Sequence, residues 1–109
     1  LYLSEMAEQR PTPDRSVLEK TQPQVKEPEL YSVLLLNDDY TTMEFVFQVL
    51  ESVFNKGPAE AFRIMMQVHT QGQGLCGVYP WHIAETKVAA VHELANDGGF
   101  PLRASIEKA

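Results

Sequence analysis

Asn37, Asp38 and Asp39 stand in a row directly after an apolar run and directly before Tyr40-Thr41-Thr42. Two chemistries fit such a junction. Asn and Asp favour turns and helix N-termini, because their short side chains hydrogen-bond to nearby backbone N–H groups. The same three residues also form an acceptor cluster. A cation with several N–H donors, such as an α-ammonium group, needs two or three oxygens or unprotonated nitrogens within hydrogen-bond distance. An amide oxygen, a carboxylate and a neutral imidazole would meet that need, and His69 is the histidine placed to supply the ring. Taken alone, His69 reads more readily as a core or capping histidine. His82 and His92 read as residues of a helix surface.

Other reactions find less support. Asp38, Asp39 and His69 could be imagined around a divalent metal, but no His-x-x-x-His or Cys-x-x-Cys spacing accompanies them, and no metal or other cofactor is expected. Cys76 with His69 would make a nucleophilic dyad, the basis of an alternative reading as a hydrolase. Cys76 lies between Leu75 and Val78 in a short apolar stretch, however, where a buried inert thiol is expected. Gly72-Gln73-Gly74 lacks the lysine and helix of a phosphate loop. Met43, Val46, Met65, Met66 and Val68 suit a core, and methionines also line pockets that accept apolar side chains of several shapes.

The elements that must position these residues are legible from residue 28 onward. Tyr31 to Leu36 is a partly β-branched apolar run with strand length. Thr41-Thr42-Met43-Glu44 has the form of a capping box, with Thr41 as cap and Glu44 reaching back. Val46, Val49, Leu50, Val53 and Phe54 then follow at helical spacing. Asn55-Lys56-Gly57-Pro58 closes that helix and opens another, whose stripe is Ala61, Phe62, Met65, Met66 and His69. After the turn Gln71–Gly74, Leu75 to Tyr79 forms a short strand. Pro80 opens a third helix, with Ala84, Val88, Val91 and Ala95 inward, and Asp97-Gly98-Gly99 ends it. Leu102, Ala104 and Ile106 alternate with polar residues, so a last strand buries one face. The order β-α-α-β-α-β predicts a small two-layer α+β domain, with three antiparallel strands covered by three helices.

The 109 residues suit one such domain preceded by a tail. Residues 1–27 carry Pro11, Pro13 and Pro23 with alternating charges and few large apolar side chains, and are expected to be a flexible extension. A net charge of −6 disfavours nucleic acid and suits a cationic ligand or partner. The longest apolar run, Val33 to Leu36, is far short of the roughly 20 residues that span a bilayer, so no membrane association is expected. A single cysteine and no signal-peptide pattern fit the cytoplasm.

The segment from Val33 through Asn37-Asp38-Asp39 to Val46 resembles the hallmark of ClpS, the bacterial N-degron adaptor family. Met65-Met66-Gln67-Val68-His69 with Gly72, then Cys76-Gly77-Val78, Ala84 to Val88, and Pro101-Leu102 through Ala109 agree with it in order and spacing. The resemblance spans residues 28–109. It implies a non-enzymatic adaptor that binds the N-terminal peptide of substrates beginning with Leu, Phe, Tyr or Trp and delivers them to a Clp AAA+ unfoldase. Asn37, Asp38, Asp39 and His69 would surround the α-amino group. Thr41 and Met43 would line the entrance, Met43 acting as a gate against β-branched residues, and Val46, Met65, Val68 and Leu102 would line the side-chain hole. The tail would engage the unfoldase, and Lys87 would match a position that docks on its N-domain. Two departures stand out. Thr42 replaces a common Pro, which is expected to loosen the first helix and fits a paralogue with narrowed preference. His82 replaces a frequent carboxylate at the docking surface. The family's other setting, a module of a larger ubiquitin ligase, is disfavoured by chain length and by the lack of a RING-type zinc pattern.

Overall fold

In the computed structural model, residues 27–109 are described; the expected tail lies almost wholly outside them. The elements follow in the expected order: β1 (Leu30–Leu36), α1 (Met43–Ser52), α2 (Pro58–Gln71), β2 (Gln73–Pro80), α3 (Trp81–Gly98) and β3 (Arg103–Lys108). β1 is the central strand, antiparallel to both neighbours in the order β2-β1-β3. It pairs Leu36 with Gln73 and with Arg103, and its register against β2 shifts between Val33 and Leu34. Placing the most apolar strand in the centre satisfies both of its backbone edges while burying its side chains.

Val33 and Leu35 of β1, Cys76 of β2 and Ala104 of β3 share one core with the helices. To that core α1 contributes Val46, Val49 and Leu50, α2 contributes Ala61, Ile64, Met65 and Val68, and α3 contributes Ala84, Val91 and Ala95. Within each helix these residues recur at helical spacing (i, i+3, i+4 or i+7), so each helix buries a single stripe. Gly74 permits a close approach of α2 to β2. A Cβ there would sit 2.8 Å from the Val68 side chain and 3.2 Å from the Ile64 carbonyl.

The start of α1 differs from the expected capping box. Thr42, not Thr41, is the N-cap, and its hydroxyl accepts from the Phe45 N–H at 3.1 Å. Thr41 is held outside the helix because both its N–H and its hydroxyl donate to Asp38. Thr42 therefore ties down the helix start that its replacement of Pro was expected to loosen. α2 begins with Pro58 at its first position and ends at Gly72, whose φ of 92° is the left-handed conformation that glycine adopts without strain.

The seam between α3 and β3 contains a bond with no local signature. His92 Nε2 accepts from the Ala104 N–H at 3.0 Å, so this histidine, expected on the helix surface, is half-buried and structural. Partial burial, and then the positive charge of Arg103, hold its imidazole below the ordinary range. Among the described residues, no helix is long and apolar enough to cross a membrane.

Candidate functional site

The last residues of β1 and the last turn of α2 are joined by one backbone hydrogen bond, from the Asn37 N–H to the Gly72 carbonyl at 2.9 Å. The glycine can turn the chain sharply enough to offer that carbonyl. The bond brings the Asn37–Asp39 turn beside His69, three residues before Gly72. α1 leaves the same turn and packs against α2, closing the third side.

The result is a cavity of about 250 Å³ lined by Asn37, Asp38, Asp39, Thr41, Met43, Val46, Met65, Val68 and His69. Nine of the ten residues expected around the amino group and side chain thus share one cavity. The tenth, Leu102, is buried in the core just before β3 and does not reach the lining. The floor is apolar: Val46, Met65 and Val68 are buried, and Met43 at the mouth is 39 % exposed.

The polar residues of the rim divide into two kinds. Asp38 is committed to the fold. One carboxylate oxygen accepts from the backbone N–H groups of Tyr40 (2.8 Å) and Thr41 (2.7 Å), and the other accepts from the Thr41 hydroxyl (2.8 Å). Partial burial pushes its carboxyl upward, but the bonds from Thr41 and Tyr40 together outweigh that and hold it below the ordinary range. Turn chemistry is therefore what Asp38 does in this structure, with its charge facing the cavity. Asn37, Asp39 and His69, by contrast, are exposed, and their side chains make no hydrogen bond among the described residues. Their acceptor capacity remains open to a ligand.

The field at the rim favours a cation. The C-terminal end of α2 brings partial negative charge to the cavity beside His69. The N-terminal end of α1 acts in the opposite sense, but Asp38 and Asp39 bring two carboxylates to the same place.

Other candidate chemistry does not assemble. Cys76 is 1 % exposed, and burial pushes its thiol up to about 12, so it remains protonated at neutral pH and is a poor nucleophile. It does not line the cavity that holds His69. Among the described residues, no group of three His, Cys, Asp or Glu side chains could hold a metal ion.

The two expected docking residues lie on α3. His82 is exposed in its first turn. Lys87 is half-buried: its Nζ donates to the Val53 carbonyl at the end of α1 at 2.7 Å and lies 5.7 Å from the centre of the Tyr79 ring. That internal bond joins residues 34 apart, and nothing local in the sequence signals it.

A small α+β domain with an apolar cavity, an acceptor-rich rim and a buried, protonated thiol has the form of a binding module. Comparison with known proteins makes the class specific. A family model described as "ATP-dependent Clp protease adaptor protein ClpS" matches residues 26–105. The ClpS adapter of Maricaulis maris is 55 % identical over 89 residues, covering 82 % of each chain. That of Caulobacter vibrioides is 52 % identical over 93 residues, covering 85 % of each. The structure of Agrobacterium tumefaciens ClpS2 bound to L-phenylalaninamide superposes with a TM-score of 0.73 at 42 % identity, covering 76 % of this chain and all of that one. The chain belongs to the ClpS family of Clp protease adaptors.

Proposed function

We propose that this protein binds the free N-terminus of proteins beginning with Leu, Phe, Tyr or Trp and delivers them to a Clp AAA+ unfoldase. One observation carries the reading: three uncommitted acceptors, on Asn37, Asp39 and His69, stand on the rim of a cavity whose floor is Val46, Met65 and Val68. An N-terminal residue has the matching order of groups, an ammonium with three donors beside an apolar side chain. The cavity, at about 250 Å³, is smaller than the roughly 300–1,000 Å³ of sites for drug-sized ligands, so it suits the end of a chain. The likeness to ClpS2 bound to L-phenylalaninamide supports this, since that ligand carries a free α-amino group and an aromatic side chain.

Met43 stands at the mouth, where a branch at Cβ of the ligand would meet it. We assign docking on the N-domain of the unfoldase to α3, through His82 and Lys87, and delivery also to the region before residue 28. A fluorescence titration with peptides differing only in their first residue tests the binding step. Leu, Phe, Tyr and Trp should bind, with Ile and Val at least tenfold weaker, a difference of about 1.4 kcal/mol. Indifference to the first residue would refute the assignment of the cavity.

A further inference from the structure

The first turn of α1 carries two residues that shape the cavity, Met43 at its mouth and Val46 in its floor. α1 approaches α2 closely, and no strand or other helix to a similar extent. Its buried stripe of Val46, Val49 and Leu50 rests on the core. A single stripe does not by itself stop a helix from rolling about its axis. Successive residues turn by about 100°, so Met43 and Phe45 stand on opposite flanks of that stripe. On one flank Met43 shares the cavity lining with Met65 of α2. On the other the Phe45 ring meets Phe100, with centroids 4.6 Å apart and planes tilted by 35°.

Phe100 is itself anchored. Its N–H donates to the Ala95 carbonyl at 2.8 Å, which folds the chain back over the end of α3, and Pro101 stiffens the backbone that follows. Little space is left around the two rings: a Cβ on Gly98 would lie 3.1 Å from the Phe100 ring and 3.5 Å from that of Phe45. Phe45 is tied in turn to the helix start, because its N–H donates to the Thr42 hydroxyl. A line of contacts thus runs from the end of α3 through two rings to the turn that carries Met43.

We infer that Phe100 is a positioning residue for peptide selection: through Phe45 it holds α1 at the roll that keeps Met43 across the path of a ligand branched at Cβ. This role presupposes the N-terminus reading above, and it belongs to a residue outside the cavity lining. Close-packed side chains pass on a displacement because they leave no slack to absorb it. Without the Phe100 ring, Phe45 settles into the vacated space, α1 rolls with it, and Met43 is carried away from Met65. The mouth then admits Ile and Val.

The test titrates the full chain with two labelled peptides that begin with Leu or Ile and are otherwise identical. The unsubstituted protein should favour the Leu peptide at least about tenfold, and a pocket loosened by about one methyl group loses most of such a ratio. In Phe100→Ala the ratio should therefore fall to about threefold or less. Phe100→Leu keeps apolar bulk, and with it the fold, but removes the ring, so it should act in the same direction. Phe100→Tyr keeps the ring and should keep the ratio. Trp81→Ala is the control: it removes the Tyr31–Trp81 pair, with centroids 5.1 Å apart, which joins β1 to α3 and does not involve α1. Its ratio should match that of the unsubstituted protein. Because each ratio is measured within one protein, any loss of folded molecules cancels. A ratio that stays near tenfold in Phe100→Ala and Phe100→Leu would overturn the positioning role, even if both affinities fell in proportion, because the ring pair would then serve stability alone. An equal drop in Trp81→Ala would overturn it too. Indifference of the unsubstituted protein to Leu and Ile would instead overturn the assignment of the cavity, and the role of Phe100 with it.

Discussion

The rim of the cavity and the seam between α3 and β3 use the same kinds of side chain for opposite ends. At the seam His92 accepts a backbone N–H, and elsewhere on α3 the Lys87 ammonium donates to the end of α1, so each polar group is spent on holding elements together. At the rim, Asp38 alone is spent in this way, while Asn37, Asp39 and His69 keep their acceptors uncommitted. Residue type does not separate a structural histidine from a binding one. What separates them is whether the fold has already supplied a partner. In the free protein water satisfies an exposed acceptor of this kind, and a donor arriving from outside can take the water's place.

That contrast can be broken most forcefully at Asp38. Asp38→Ala removes an acceptor that serves three donors at once. Hydrogen bonds to a charged acceptor are stronger than neutral ones, and partial exposure moderates the loss to about 1–2 kcal/mol of folding stability. Urea unfolding measures it, and peptide binding should weaken together with stability because the turn also carries Asn37 and Asp39. A variant as stable as the parent would mean that the three bonds do not hold the turn.

A smaller effect is expected at the seam. His92→Leu should cost about 1 kcal/mol by leaving the Ala104 N–H without its acceptor. The pH dependence gives the sign independently. The folded state lowers the affinity of His92 for a proton, so its contribution is complete above the ordinary imidazole value of about 6.5 and is lost as pH falls toward the lower folded value. The stability gap between parent and variant should therefore narrow as the solution is acidified below about pH 6.5. A gap that widens on acidification would reverse the assignment.

The smallest change in stability belongs to His69→Ala, expected within about 0.5 kcal/mol of the parent, since an exposed side chain without a partner is removed. Its effect should appear in binding, which should weaken as the ligand's ammonium loses one acceptor. A large loss of stability here would move His69 to the structural group and erase the contrast.

How much of this could be read from the residues follows the range of the interactions. Periodicity is local, and it placed all six elements; the set of cavity-lining residues came from the resemblance to ClpS and not from spacing. The N-cap was shifted by one residue because Thr41 and Thr42 are equivalent as caps. Only the folded turn, in which Asp38 takes both donors of Thr41, decides between them. The roles of His92 and Lys87 were hidden because their partners lie 12 and 34 residues away. Leu102 alternates with its neighbours and is buried as that predicts; its place in the side-chain hole came from the resemblance, and the cavity lining does not include it.

The claim on which the account depends is that the open acceptors receive a free ammonium. A Leu-initiated peptide and its N-acetyl form, titrated against the same protein, isolate that group while leaving the side chain intact. Acetylation removes the charge and two of the three donors. The loss of one charge-assisted hydrogen bond, at about 1.5–3 kcal/mol, predicts at least roughly tenfold weaker binding of the acetylated peptide. Equal affinity for the two peptides would contradict the account.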